Sequence, residues 1–328
     1  MAKTLNTTSV GSFPKPASLM EARTRYRRQE ISSAVLRVEE QEATRAVVRL
    51  QEDLGLDILV HGEMERGDMV AYFAENWEGF GRSLPVRSYG NRYYMKPIVE
   101  GPVGLGQAAG FTVQSWNQAR ALTNKPVKGM LTGPYTICDW SFNTHYRDRR
   151  ALTLALAELV HEEAQALEDA GAQYIQIDEP AISTRPEEIG LAIEAMGIVT
   201  RGLSVGTISH ICYGEFERIY PALLDLPVRQ LDLEAANGHF ALIDLIARYP
   251  WPVDKELALG VVDVHSHRLE SVDEVKAGIR KALEVIPAER LFIDPDCGLK
   301  TRTWEEARQK LQVMVSAVRQ VREEEGLA

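Results

Sequence analysis

The sequence predicts an α/β fold of the (β/α)8 barrel class. Eight short runs rich in Val, Ile and Leu recur along the chain, and amphipathic stretches bounded by helix caps stand between them. The length of 328 residues suits one such barrel. An open doubly wound sheet has the same periodicity, so closure is an expectation drawn from the strand number.

In chain order the candidate strands are 5–10 (LNTTSV), 57–63 (DILVHGE), 127–131 (VKGML) and 174–178 (YIQID). Then come 205–211 (VGTISHI), 228–234 (VRQLDLE), 257–264 (LALGVVDV) and 290–296 (RLFIDPD). From Ser33 to Leu54, Leu36, Ala43, Val47, Leu50 and Leu54 share one helical face, and Gly55 suits the residue after the end. Arg149 to Ala170 reads as a helix closed by Gly171. Ser271 with Glu274 and Thr303 with Glu306 form capping boxes before two further helices. Residues 64–125 exceed a simple crossover. They read as an insertion after strand two, with a hairpin in RSYGNRYYMKPIVEGPV. No linker or repeat interrupts the chain, so residues 1–328 are expected to form one domain, with 64–125 inserted within it.

The formal charge of −10 argues against nucleic acid or an anionic membrane as partner. The N-terminal MAKTLNTTSVGSFPKP lacks the apolar core of a signal peptide, and no run approaches the ~18 apolar residues of a spanning helix. A cytoplasmic location is expected. Cys138, Cys212 and Cys297 are odd in number and far apart, which is a poor disulfide framework but leaves thiols for a metal.

His210 and Cys212 are two apart, so strand alternation turns them to one side. Glu234 ends the next run and Cys297 follows the last. One imidazole, two thiolates and a carboxylate from three strand ends suit a single Zn²⁺ better than Mg²⁺ or Ca²⁺. A buried cysteine is otherwise a small core hydrophobe, which is the reading for Cys138.

TTSVGSFPKP, LVHGEMERGDMV, KGMLTGPYTICDWSF, QIDEPA, SHICYGEF, LDLEAAN, DVHSHR and FIDPDCGLKTR follow one another from residue 7 to 302. In these motifs the chain resembles the C-terminal zinc barrel of cobalamin-independent methionine synthase, in a short single-barrel form. The resemblance implies zinc-dependent methyl transfer to the thiol of L-homocysteine, giving L-methionine. It implies His210, Cys212, Glu234 and Cys297 as zinc ligands. It also implies that the backbone at Val10, Gly11 and Ser12 receives the substrate carboxylate, and that Glu63 and Asp178 receive its ammonium. His265 matches a proton donor and Trp140 a residue near the folate ring, while His267 reads as solvated or structural.

Two positions depart from the family pattern. Arg92 is followed by Tyr93 where the family has cysteine, and Thr184 replaces an acid. A neutral hydroxyl cannot anchor a pterin edge as a carboxylate does. The expected donor is therefore methylcobalamin or a methylated corrinoid protein, with 5-methyltetrahydrofolate as the alternative. A coenzyme M type alkyltransferase would leave Glu63 and Asp178 poorly used. A non-catalytic zinc protein would have a closed four-ligand site, and two thiolates make a metal hydrolase the weaker choice.

Overall fold

The computed structural model describes residues 5–87, 93–106, 109–212 and 214–327. The chain divides into two compact units. One comprises Met1–Glu65, Ser115–Lys128 and Arg229–Ala328, and the other Arg66–Gln114 and Gly129–Val228.

In the first unit, Gln230–Leu233, Glu256–Gly260 and Leu291–Asp294 are neighbouring parallel strands. Their register aligns Leu231 with Leu257 and Leu257 with Leu291. Every residue in these strands is buried, as expected where both faces are covered. The expected strands 5–10 and 57–63 appear as single parallel bridges, Thr7 to Ile293 and Leu59 to Val127. Ladder bonds remain: Thr8 N donates to Ile293 O at 3.0 Å and Lys128 N to Leu59 O at 2.9 Å.

Two features shorten these ladders. The Asp57 carboxylate accepts from Thr7 N and Thr7 Oγ1, both at 2.9 Å, and from Arg322 at 2.7 Å. Burial disfavours this carboxylate, but Thr7 and Arg322 outweigh burial and hold its pKa below the usual value. Further along, Gly62 and Glu63 both take positive φ, which ends the pleat.

The first unit's helices start and stop where their local chemistry dictates. Ser33–Leu54 follows Ser32, whose side chain accepts from Val35 N, and ends at Gly55 with φ 87°. Ala43, Val47 and Leu50 are buried on its inner face, whereas Leu36 and Leu54 are half-buried. Both capping boxes form, ahead of Val272–Leu283 and Trp304–Glu324, and each cap contributes about 1 kcal/mol.

In the second unit, Gly129–Thr132, Tyr174–Asp178 and Gly206–Ile211 lie side by side in that order, all parallel. Helix Arg149–Asp169 is capped by Asp148, is followed by Gly171 at φ 98°, and packs on Ile189–Val199. The expected insertion contains helix Ala71–Asn76 and an antiparallel hairpin of Glu78–Arg87 with Tyr93–Gly104. The hairpin starts earlier than expected, because EGFGRSLPVR hides its strand character behind two glycines and a proline. Helix Phe111–Arg120 follows, and the buried Glu163 accepts from Gly110 N at 2.7 Å and Thr112 N at 3.2 Å near its start. No helix among the described residues is long and apolar enough to cross a membrane.

Arg23, on helix Ala17–Arg27, lies 3.7 Å from Glu40 on Ser33–Leu54. Burial raises the Glu40 carboxyl to about 7 despite the Arg23 charge. A carboxyl raised in this way binds its proton more tightly in the folded chain than in the unfolded one. Its stabilising contribution is whole below the ordinary 4.5 and is lost as pH rises towards about 7. Glu40→Gln should remove part of the fall in stability across that window. Urea unfolding at both ends of the window measures it, and equal pH slopes in the two proteins would refute the assignment.

Candidate functional site

In the second unit, the register of Tyr174–Asp178 with Gly206–Ile211 sets Asp178 opposite His210. His210 and Cys212 are both buried, and Gln176 Nε2 orients Asp178 by donating to its Oδ1 at 2.7 Å. The next residue, Glu179, is fully buried and was not singled out by the sequence reading. Its carboxylate accepts from Tyr135 N at 3.0 Å, Thr136 N at 2.7 Å and Thr136 Oγ1 at 2.6 Å. Its own amide donates to His210 O at 2.9 Å. Burial lifts the Glu179 carboxyl to about 7, against the pull of those donors. Gly133 makes room for it, since a Cβ there would stand 2.1 Å from Glu179 Cδ. Glu179 thus ties the short helix Pro134–Asp139 to the strand ends carrying Asp178 and His210.

Trp140, just past that helix, is half-buried, and its amide donates to Thr136 O at 2.9 Å. Cys138 is buried and burial raises its thiol pKa, which suits the core or pocket-lining role expected of it. Ser183 Oγ lies 3.1 Å from Cys212 O, and Thr184 Oγ1 donates to Ala181 O at 2.8 Å. Arg92 falls outside the described residues.

In the first unit, Phe13 N donates to Gly62 O at 3.1 Å and Leu299 N to Ser12 O at 2.7 Å. A Cβ on Gly298 would stand 2.2 Å from Ser12 Oγ. These contacts gather the Val10–Gly11–Ser12 segment, the turn before Glu63 and the chain after Cys297 into one neighbourhood. Glu63 has φ 57° and its amide donates to His61 Nδ1 at 3.1 Å. A left-handed conformation costs a non-glycine residue about 1 kcal/mol, and such strain concentrates at functional sites.

Glu234 is buried immediately after strand Gln230–Leu233, and its Oε2 lies 3.5 Å from His265 Nε2. Burial works against protonation of His265, but Glu234, Cys297 and Asp263 outweigh it and raise the imidazole pKa above its ordinary value. His267 is exposed and pairs with Glu306 at 2.6 Å, in keeping with a solvated residue.

One ligand atom each from His210, Cys212 and Cys297 lie within 4.8 Å of one another. Tetrahedral zinc with ordinary Zn–S and Zn–N bonds sets its ligand atoms about 3.5–3.8 Å apart, which lies inside that limit. Two soft sulfurs and an imidazole match zinc in chemistry as well as in spacing. Glu234 is not one of those three, and its carboxylate lies beside His265.

The family model described as "Cobalamin-independent synthase, Catalytic domain" matches residues 5–320. A Streptomyces avermitilis protein named 5-methyltetrahydropteroyltriglutamate–homocysteine methyltransferase is 41% identical over 98% of this chain. The chain spans 42% of that relative's length. A methionine synthase of Saccharolobus islandicus is 38% identical over 98% of this chain and 96% of its own. The solved structure of a B12-independent methionine synthase from Shewanella sp. W3-18-1, in complex with selenomethionine, is 28% identical with a TM-score of 0.85 over 98% of both chains. These matches bear out the α/β barrel class. They correct the expected donor, because a family described as cobalamin-independent does not fit methylcobalamin or a corrinoid carrier protein.

Cys297→Ala is expected to weaken zinc uptake by the purified protein at least about tenfold. Metal analysis after dialysis against zinc measures it, and a full equivalent of zinc in the variant would remove Cys297 from the ligand set.

Proposed function

This chain belongs to the cobalamin-independent synthase catalytic-domain family, and on that premise we propose that it methylates the sulfur of L-homocysteine to give L-methionine. The observation that carries the reading is the grouping of His210, Cys212 and Cys297. His210, Cys212 and Cys297 would hold zinc, with Glu234 as a fourth ligand that an incoming thiol can replace. When bound, zinc supplies a thiol in its deprotonated, nucleophilic form, where a free alkyl thiol of pKa about 8.5 is mostly protonated at neutral pH.

The remaining work falls to the chain itself. Glu63 and Asp178 present two carboxylates to the substrate ammonium, and the backbone at Val10, Gly11 and Ser12 receives its carboxylate. Fixing both charged ends positions the sulfur before reaction, which removes much of the entropic barrier to transfer. The sulfur lone pair then forms the new bond to the methyl carbon. The bond from carbon to the donor nitrogen breaks, its electron pair stays on nitrogen, and His265 delivers a proton there. Glu234, beside His265, steadies the protonated imidazole before transfer.

The donor in this reading is a 5-methyltetrahydropteroyl polyglutamate, after the name of the Streptomyces relative. Trp140 offers a flat apolar face for a pterin ring, and Arg92 is a further candidate for donor contact. Thr184 carries no charge for the pterin, so donor affinity is expected to rest on the ring and the glutamate tail.

Purified zinc-loaded protein given homocysteine and 5-methyltetrahydropteroyltriglutamate should form methionine with no cobalamin present. No methionine from that mixture, at any donor concentration tested, would overturn the donor assignment. Asp178→Asn should raise the homocysteine KM about tenfold or more, equal to about 1.4 kcal/mol of lost binding. An unchanged KM would show that Asp178 does not meet the ammonium.

A further inference from the structure

Asp296 immediately precedes Cys297, yet its carboxylate does not serve its own strand. The residue is fully buried, and its amide donates to Val262 O at 3.0 Å. Its Oδ1 accepts from Ala235 N and Ala236 N, both at 2.9 Å, and its Oδ2 accepts from Asn237 N at 2.6 Å. Those three amides begin the segment that directly follows Glu234. The strand lying between the two is Glu256–Gly260, which pairs with Gln230–Leu233 on one side and Leu291–Asp294 on the other. The carboxylate therefore crosses over the end of the middle strand.

Only glycine lets it pass. A Cβ on Gly260 would stand 2.4 Å from Asp296 Oδ1 and 2.7 Å from Asp296 Cα. Gly260 O meanwhile accepts from Ala236 N at 3.1 Å, and Val261 N donates to Asp294 O at 2.9 Å. Three strand ends are thus bound together at the level of Glu234 and Cys297.

We propose that Asp296 is the positioning residue of the metal centre: by gripping the amides of Ala235, Ala236 and Asn237 it fixes the backbone of Glu234 against that of Cys297. The inference rests on the metal reading given above and adds a residue to it. Charge-assisted bonds to three amides are short and directional, so they set a backbone separation more tightly than apolar packing does. Groups that orient metal ligands in this way typically contribute 10–100-fold to metal affinity. In this role Asp296 acts on the centre through the amides it holds, as a positioning residue.

The test is zinc affinity measured by competition with a chromogenic chelator on the full chain, with circular dichroism and thermal unfolding run beside it. Asp296→Asn keeps the shape and one accepting oxygen but turns an N–H donor towards the amides. Asp296→Ala removes the grip altogether. The control is Glu163→Ala, which strips a buried carboxylate from the amides of Gly110 and Thr112. The expected result is zinc binding weakened about 10–100-fold in folded Asp296→Asn, with wild-type affinity in the control even if its Tm falls. Should Asp296→Ala fail to fold, Asp296→Asn decides. Wild-type zinc affinity in Asp296→Asn overturns the proposal while leaving the metal reading intact. An affinity loss of the same size in Glu163→Ala overturns it too, as that would be a general consequence of destabilisation. A wild-type chain with no zinc affinity overturns the metal reading and this inference together.

Discussion

Two thiols and an imidazole serve one ion only if the backbones that carry them hold still. Zinc tolerates departures of about 0.2 Å in bond length, far less than a loop ordinarily drifts. His210, Cys212 and Cys297 already group within 4.8 Å. The rest of the structure can be understood as the means of keeping them there. Parallel pairing fixes the height of each strand end, and side-chain alternation fixes the direction in which His210 and Cys212 leave theirs. A slip of one residue would turn both away together.

Hydrogen bonding alone leaves strand ends loose, because the ladder stops there. In each unit a buried carboxylate takes over. Glu179 accepts from the amides of Tyr135 and Thr136, and Asp296 from those of Ala235, Ala236 and Asn237. Each crowds a glycine, Gly133 and Gly260, so closely that no side chain fits. Burial raises both carboxyls to about 7, against the opposing pull of the amides. Glu63 adds a cost of another kind, held in a left-handed turn between His61 and Met64.

Much of this was legible in the sequence, for local reasons. The capping boxes at Ser271 and Thr303 and the terminal Gly55 are decided within a few residues, so the helix limits followed from the chain alone. His210 and Cys212 were legible because a period of two is strict. Other features depend on residues far apart in sequence. The strands at 5–10 and 57–63 shrink to bridges because Asp57 engages Thr7 and Arg322. Glu234 was placed among the ligands by its strand end, but its proximity to His265 Nε2 was not foreseen. Glu179 and Asp296 went unremarked, since nothing near them in sequence shows which amides they meet. The donor was misjudged on Thr184 and the residue after Arg92, two substitutions weighed against a family pattern that spans the whole chain.

The account stands or falls on whether a substrate thiol joins the sulfurs of Cys212 and Cys297 at one ion. X-ray absorption at the zinc edge, on zinc-loaded protein with and without saturating homocysteine, measures this directly. The account predicts two sulfur neighbours beside lighter ligands, rising to three on adding homocysteine, as the thiol replaces oxygen. A sulfur count unchanged by homocysteine would contradict it.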